Sequence, residues 1–296
     1  MRTFTVVTDS TSDLGKDLRD KYDILYTPMN YVIDETEYPA MLDWESHSAK
    51  DFYDMMRKGV HIRTTQVPRD NYVRTFTEIL ESGKDVLYIS CSSALSGSIN
   101  IARVVAKELM ESYPDAKICC VDSLISSLGQ GYLVLQAAQM RDAGKTAEET
   151  AAYIESIRLK VNQCGTVGSL EYLRRAGRVT ASSAFFGNLF GVKPIIISDK
   201  IGQNFAIKKA KGALNAKKEI AAILAEATED AENQTLYITH ADALEDAEQL
   251  RDEILKVAPF KNCYINYIAP IVGASVGPGT IIAFGFGKEV TVEGGK

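Results

Sequence analysis

The stretch SCSSALSGSINIAR, residues 90–103, crowds Ser92, Ser93, Ser96 and Ser98 around the point where an apolar run ends and a helical pattern begins. Hydroxyls at such a junction can do two kinds of chemistry. One of them can act as a nucleophile beside a general base. Alternatively, several can join the free amides of a first helical turn to hold an anion, which the partial positive charge of that turn favours.

The nucleophile reading has one further match, GASVG at 273–277, which fits the G-x-S-x-G pattern of an exposed serine on a strand-to-helix turn. Its context is wrong. Ser275 is followed by Gly277, Pro278 and Gly279 and then by the strand-like TIIAFGFG, and no histidine lies beyond His240 to complete a triad in hydrolase order. His47, His61 and His240 are the only histidines. A phosphate-binding P-loop is absent, and the glycine run at 277–287 lacks the acidic residue some twenty positions on that a dinucleotide fold uses. Asp9 could ligate a metal but has no cluster of partners, so a capped turn in DSTSD is its expected role. No catalytic residue, metal or cofactor is assigned.

The anion reading places Ser96, Gly97 and Ser98 where the chain leaves strand 85–90 and enters helix 96–112. The plainer alternative is that Ser96 only caps that helix. A second hydroxyl pair, Thr64 and Thr65 in RTTQVPRD, also precedes a helix, and strand-end loops of one doubly wound sheet converge on one crevice.

The elements that must position these residues follow from periodicity. TFTVVT, DVLYIS and KICCVD read as buried strands, with helices expected at 46–59, 69–82, 96–112 and 127–143. Strand and helix alternating at this spacing imply a mostly parallel, doubly wound sheet. Beyond about residue 160, CGTVGSL, GVKPIIIS, QNFAIKK, TLYITH, NCYINYIAPIV and TIIAFGFG supply strands, and helices are expected at 181–190, 212–230 and 242–257. The fold class is α/β in two domains, 1–160 and 161–296, with the polar helical stretch RDAGKTAEETAAYIESIRL carrying the crossover between them.

Bulk composition sets the outer limits. A chain of 296 residues with 46% hydrophobic residues has room for one or two domains, and a net charge of −6 argues against nucleic acid as a partner. No apolar run reaches the roughly 18–20 residues of a spanning helix, and MRTFTVVTDS is not signal-like, so a cytoplasmic location is expected. Five cysteines with no C-x-x-C spacing are expected to be buried free thiols.

VVTDSTSDL, RTTQVP, ISCSSALSGS, SLEYLRRAGRV followed by GVKPII, and VGASVGPG occur in that order along the chain. In these segments the sequence resembles the DegV family, bacterial fatty-acid-binding proteins, over nearly its whole length. The resemblance implies two α/β domains binding one long-chain fatty acid between them, with the carboxylate hydrogen-bonded at the positions of Thr64 and Ser96. Some members present the acid to a separate fatty-acid kinase, which makes the acyl phosphate. In three places the chain departs from the pattern: Ser275 stands where many members carry histidine, Lys211 where they often carry arginine, and Pro68 one place late. In such a family the helix at 181–190, with Phe185, Phe186, Leu189 and Phe190 at helical spacing, would wall the acyl tail. Arg174, Arg175 and Arg178 form either a docking patch for an acidic partner or a solvated helix end. The rival reading is an enzyme of small-molecule or phosphoryl metabolism related to dihydroxyacetone kinases, which hold substrate through a histidine; none of the three histidines here lies in a matching motif.

Overall fold

A computed structural model describes residues 2–180 and 191–294. The helix expected at 181–190, and with it Phe185, Phe186 and Phe190, lies outside the described residues. The chain begins with β1 (Phe4–Asp9), α1 (Lys16–Lys21), β2 (Ile24–Thr27), β3 (Asn30–Ile33), β4 (Thr36–Pro39), α2 (Ala49–Arg57), β5 (Arg63–Thr64) and α3 (Arg69–Glu81). It continues through β6 (Asp85–Ser90), α4 (Ser98–Ser112), β7 (Ile118–Asp122), α5 (Ser127–Asp142) and α6 (Ala147–Ile157). There follow β8 (Val161–Thr166), α7 (Leu170–Ala176), β9 (Val179–Thr180), β10 (Val192–Ser198), β11 (Asn204–Lys211) and α8 (Ala213–Ala227). The last elements are β12 (Thr235–His240), α9 (Leu244–Leu255), β13 (Asn262–Tyr267), α10 (Pro270–Val276) and β14 (Ile281–Phe286).

Strands β2-β1-β6-β7 form an all-parallel four-stranded sheet, as the strand–helix alternation predicts. Both β1 and β6 are buried along their whole length, which is why their sequences run apolar without alternation. Helix boundaries are set by local chemistry. Ser48 accepts the Asp51 amide at the start of α2, and Thr146 and Glu149 close a capping box on α6. Gly177, at φ 67°, ends α7 in the left-handed conformation that costs glycine least.

The second sheet is mixed and seven-stranded, in the order β13-β12-β14-β8-β10-β11-β9. One sequence expectation needs correction here: NCYINYIAPIV is not strand throughout. The strand stops at Tyr267, and Pro270 opens helix α10, because its fixed φ and missing N–H suit the first helical position.

A small antiparallel sheet, β4-β3-β5, was not legible in the sequence. Its hairpin turns through Asp34 and Glu35, both at positive φ, without the Asn-Gly or Asp-Gly pair that announces such turns. This sheet matters because its pairing of Thr64 with Tyr31 fixes one of the candidate hydroxyls.

The two large sheets are tied across their junction. Tyr53 on α2 donates its hydroxyl to Ile268 O at 2.6 Å, Tyr172 on α7 donates to Met56 O at 3.1 Å, and Arg57 pairs with Asp242 at 2.6 Å. Gly273 is required where α10 meets α2, since a Cβ there would stand 2.5 Å from the Tyr53 hydroxyl. Asp13, in the loop after β1, makes a further buried tie. Its carboxyl group accepts the Ala269 amide at 2.9 Å and bonds the Ser127 hydroxyl, while its backbone carbonyl accepts Asn266 Nδ2 at 2.8 Å.

Candidate functional site

A cavity of about 100 Å³ opens where the two sheets face each other. The parallel half contributes Thr64, Thr65, Gln66, Leu95, Ser96 and Met29; the mixed half contributes Ile271, Val272, Ser275 and Val276 from α10, Ile282 from β14, and Arg178. Hydroxyls and one guanidinium thus face an apolar wall.

Of the four serines at the strand–helix junction, only Ser96 lines this cavity. Ser92 is fully buried and its hydroxyl accepts the Ala94 amide at 3.2 Å, and the Ser93 amide is held by Asp122 at 3.1 Å. Gly97 occupies the N-cap position, and Ser98, fully buried, opens α4 behind the cavity wall. The Ser98 hydroxyl accepts the Val67 amide at 3.3 Å and meets Ser96 Oγ at 3.0 Å, while Ser96 Oγ also accepts the Ser98 amide at 3.3 Å. Val67 N–H fills one acceptor site of Ser98 and the Ser98 amide one of Ser96, and either hydroxyl of the pair can donate to the other. Ser96 therefore touches the first turn of the helix and the cavity at once, and the two readings of the sequence meet in one side chain.

Thr64 is half-buried on the cavity wall and its hydroxyl makes no hydrogen bond among the described residues. Thr65, exposed at the rim, donates to Glu37 Oε1 at 3.2 Å. Ser275 sits in the last turn of α10 and donates to Ile271 O at 3.4 Å. A serine inside a helix, without a histidine or carboxylate among its hydrogen-bond partners, is not a nucleophile elbow. Lys211 lies at the end of β11, away from the cavity lining.

Arg178 was legible only as part of a basic run; the structure separates that run. Arg174 faces a surface groove, Arg175 stacks over Tyr172 at 5.3 Å, and Arg178 turns to the cavity, where its Nε donates to Leu95 O at 3.2 Å. Arg178 has no carboxylate partner among the described residues, which leaves its charge available to an anion at the mouth.

None of the three histidines lines the cavity. His47 hydrogen-bonds Tyr31, His61 is exposed, and His240 is buried, with a pKa lowered to about 4 by that burial. Beneath the floor, Asp9 is fully buried and accepts from the Thr11 amide, Tyr88, the Cys91 amide and Gln130, a capped turn as its sequence context predicts. Asp9 holds Thr11 and Cys91, which both reach the cavity. Cys91 and Cys164 are buried free thiols and the other three cysteines are half-buried; burial raises the Cys164 pKa to about 12, so none is a reactive thiolate at neutral pH. Among the described residues no cluster of three or more His, Cys, Asp or Glu could hold a metal, and no helix is long and apolar enough to cross a membrane.

Fold and site together define an α/β protein with a parallel sheet, a larger mixed sheet and a cavity between them lined by both polar and apolar side chains. The chain belongs to the DegV family, whose family model, described as an uncharacterised protein of the DegV family, matches residues 3–287. It is 37% identical over 287 residues to a DegV domain-containing protein of Clostridium perfringens, covering 97% of this chain and 98% of that one. Among solved structures, a DegV family protein of Thermus thermophilus described for its fatty acid binding is 28% identical, with a TM-score of 0.87 over 97% of this chain and all of that one. DegV of Bacillus subtilis, described as a fatty acid binding protein, is 26% identical with a TM-score of 0.82 over 97% of this chain and 100% of that one.

Proposed function

We propose that this protein binds one long-chain fatty acid between its halves, 1–160 and 161–296, and does not itself transform it. The observation that carries the reading is the cavity's composition: the hydroxyls of Thr64 and Ser96 share it with the apolar side chains of Ile271, Val272, Val276 and Ile282. A carboxylate needs such hydroxyls, and its chain needs such apolar side chains. Fatty acid binding in the Thermus and Bacillus relatives supports the same ligand. Arg178 adds charge at the mouth, and the exposed Thr65 rim suits presentation of the head group to a separate fatty-acid kinase, the partner in this reading. The cavity of about 100 Å³ is smaller than the roughly 300 Å³ at which sites for drug-sized ligands begin, so a C16–C18 chain seats only if the walls part.

Protein purified from a bacterial host is therefore expected to release a long-chain fatty acid on denaturation and organic extraction, and delipidated protein to take up palmitate or oleate with measurable binding heat. An empty extract together with no heat and no shift in melting temperature for either acid would sink the reading.

A further inference from the structure

Two nearly buried polar side chains on the cavity wall lie outside the carboxylate site, each with an oxygen that has no partner among the described residues. Gln163 on β8 is 7% exposed and Ser126, which precedes α5, is 8% exposed, and both line the cavity. Gln163 shares a sheet face with Gly165, whose strand neighbours Ile196 and Ile282 are apolar. Its Nε2 donates to Asn204 Oδ1 at 3.0 Å, while its Oε1 accepts nothing among the described residues. The Ser126 hydroxyl likewise has no partner among them and does not cap its helix.

Their place along the cavity is informative. Beside it lies a small void of about 20 Å³, lined by Val167, Leu173 and Ile196 together with Thr166 and Thr280, and Gln163 and Asn204 line both spaces. Val276 and Ile282 line both spaces as well, so the void continues from the cavity that holds Thr64 and Ser96. A plain hydrocarbon chain running from Thr64 and Ser96 into that void would desolvate the free carbonyl of Gln163 and the Ser126 hydroxyl and give neither a partner.

We propose that the ligand is a long-chain fatty acid bearing a hydroxyl on its chain, which donates to Gln163 Oε1 and accepts from Ser126. A hydroxyl matches the pair because it is donor and acceptor at once, whereas a keto oxygen would leave Gln163 Oε1 unmet. The inference rests on the fatty-acid reading above and names the ligand class more narrowly. It is tested by competitive binding of stearic acid and a series of monohydroxystearic acids, the hydroxyl moved along the chain, to wild type, Gln163→Met and Ser126→Ala. At least one isomer is expected to bind wild type about tenfold more tightly than stearic acid. Gln163→Met should abolish that preference while binding stearic acid at least as well, and Ser126→Ala, a small change that tests the site separately should the first variant fold poorly, should reduce it. The proposal is overturned if stearic acid binds as tightly as every isomer, or if both variants keep the wild-type ranking. Binding of no acid at all would instead overturn the fatty-acid reading and this inference with it.

Discussion

Replacing Ser96 or Thr64 by alanine is expected to weaken fatty-acid binding by about ten- to hundredfold and to leave the corresponding fatty alcohol much less affected. A hydrogen bond to a charged group is worth roughly 1.5–3 kcal/mol, and each 1.4 kcal/mol is about tenfold in affinity. The alcohol carries no charge, so it has less to lose from the same deletion. Ser96 is the sharper of the two tests because its oxygen also accepts the Ser98 amide at the first turn of α4. Were that its whole role, Ser96→Ala would cost about 1 kcal/mol of folding stability and reduce acid and alcohol binding equally. Isothermal titration of both ligands, with urea melts alongside, separates the outcomes; equal losses would remove Ser96 from the carboxylate site.

The second large effect concerns pH. Burial pushes the Asp13 carboxyl from 3.8 up to about 8, against the downward pull of its bonds from Ser127 and Ala269. In the folded protein at neutral pH the carboxyl holds its proton and the unfolded chain has lost it. Folding thus takes up a proton between pH 3.8 and about 8. The stability this contributes is complete below 3.8, declines as pH rises, and is gone above about 8. With about 1.4 kcal/mol per unit, wild type should lose on the order of 4–6 kcal/mol relative to Asp13→Asn across that window. Asparagine keeps an acceptor for the Ala269 amide and cannot ionise. The comparison also cancels the opposite trend of His240, whose lowered pKa costs stability only on acidification below 6.5. Urea melts of the two proteins from pH 5 to pH 9 are the measurement, and parallel profiles would refute the shifted carboxyl. Because Asp13 bonds the residue that precedes α10, a wall of the cavity, the same variant is expected to retain ligand binding above pH 8 better than wild type does.

The sequence alone determined the parallel sheet, since TFTVVT and DVLYIS are apolar without alternation and only a sheet covered on both faces buries them fully. It also determined the helices with clear starts, such as α6 behind Thr146 and Glu149, because a cap is a local interaction written within four residues. Ser96 was a candidate because it lies between a strand of the parallel sheet and the helix that follows; Thr64 reaches the same cavity from β5 of the small antiparallel sheet, which the strand-end rule for a doubly wound sheet does not cover. Helix α10 was not legible, because PIVGASV is as apolar as a buried strand and periodicity cannot tell the two apart over seven residues. Gln163, Ser126 and Arg178 reach the cavity from a strand of the mixed sheet, the cap of α5 and the segment after α7, positions 37 or more residues apart in pairs that include Ser126. No local pattern records that convergence; it exists only once the mixed sheet has folded against the parallel one. The raised Asp13 pKa is decided in the same way, by water excluded when Ala269 and Ser127 close over a carboxylate that its own pentapeptide, DSTSD, would leave in solvent.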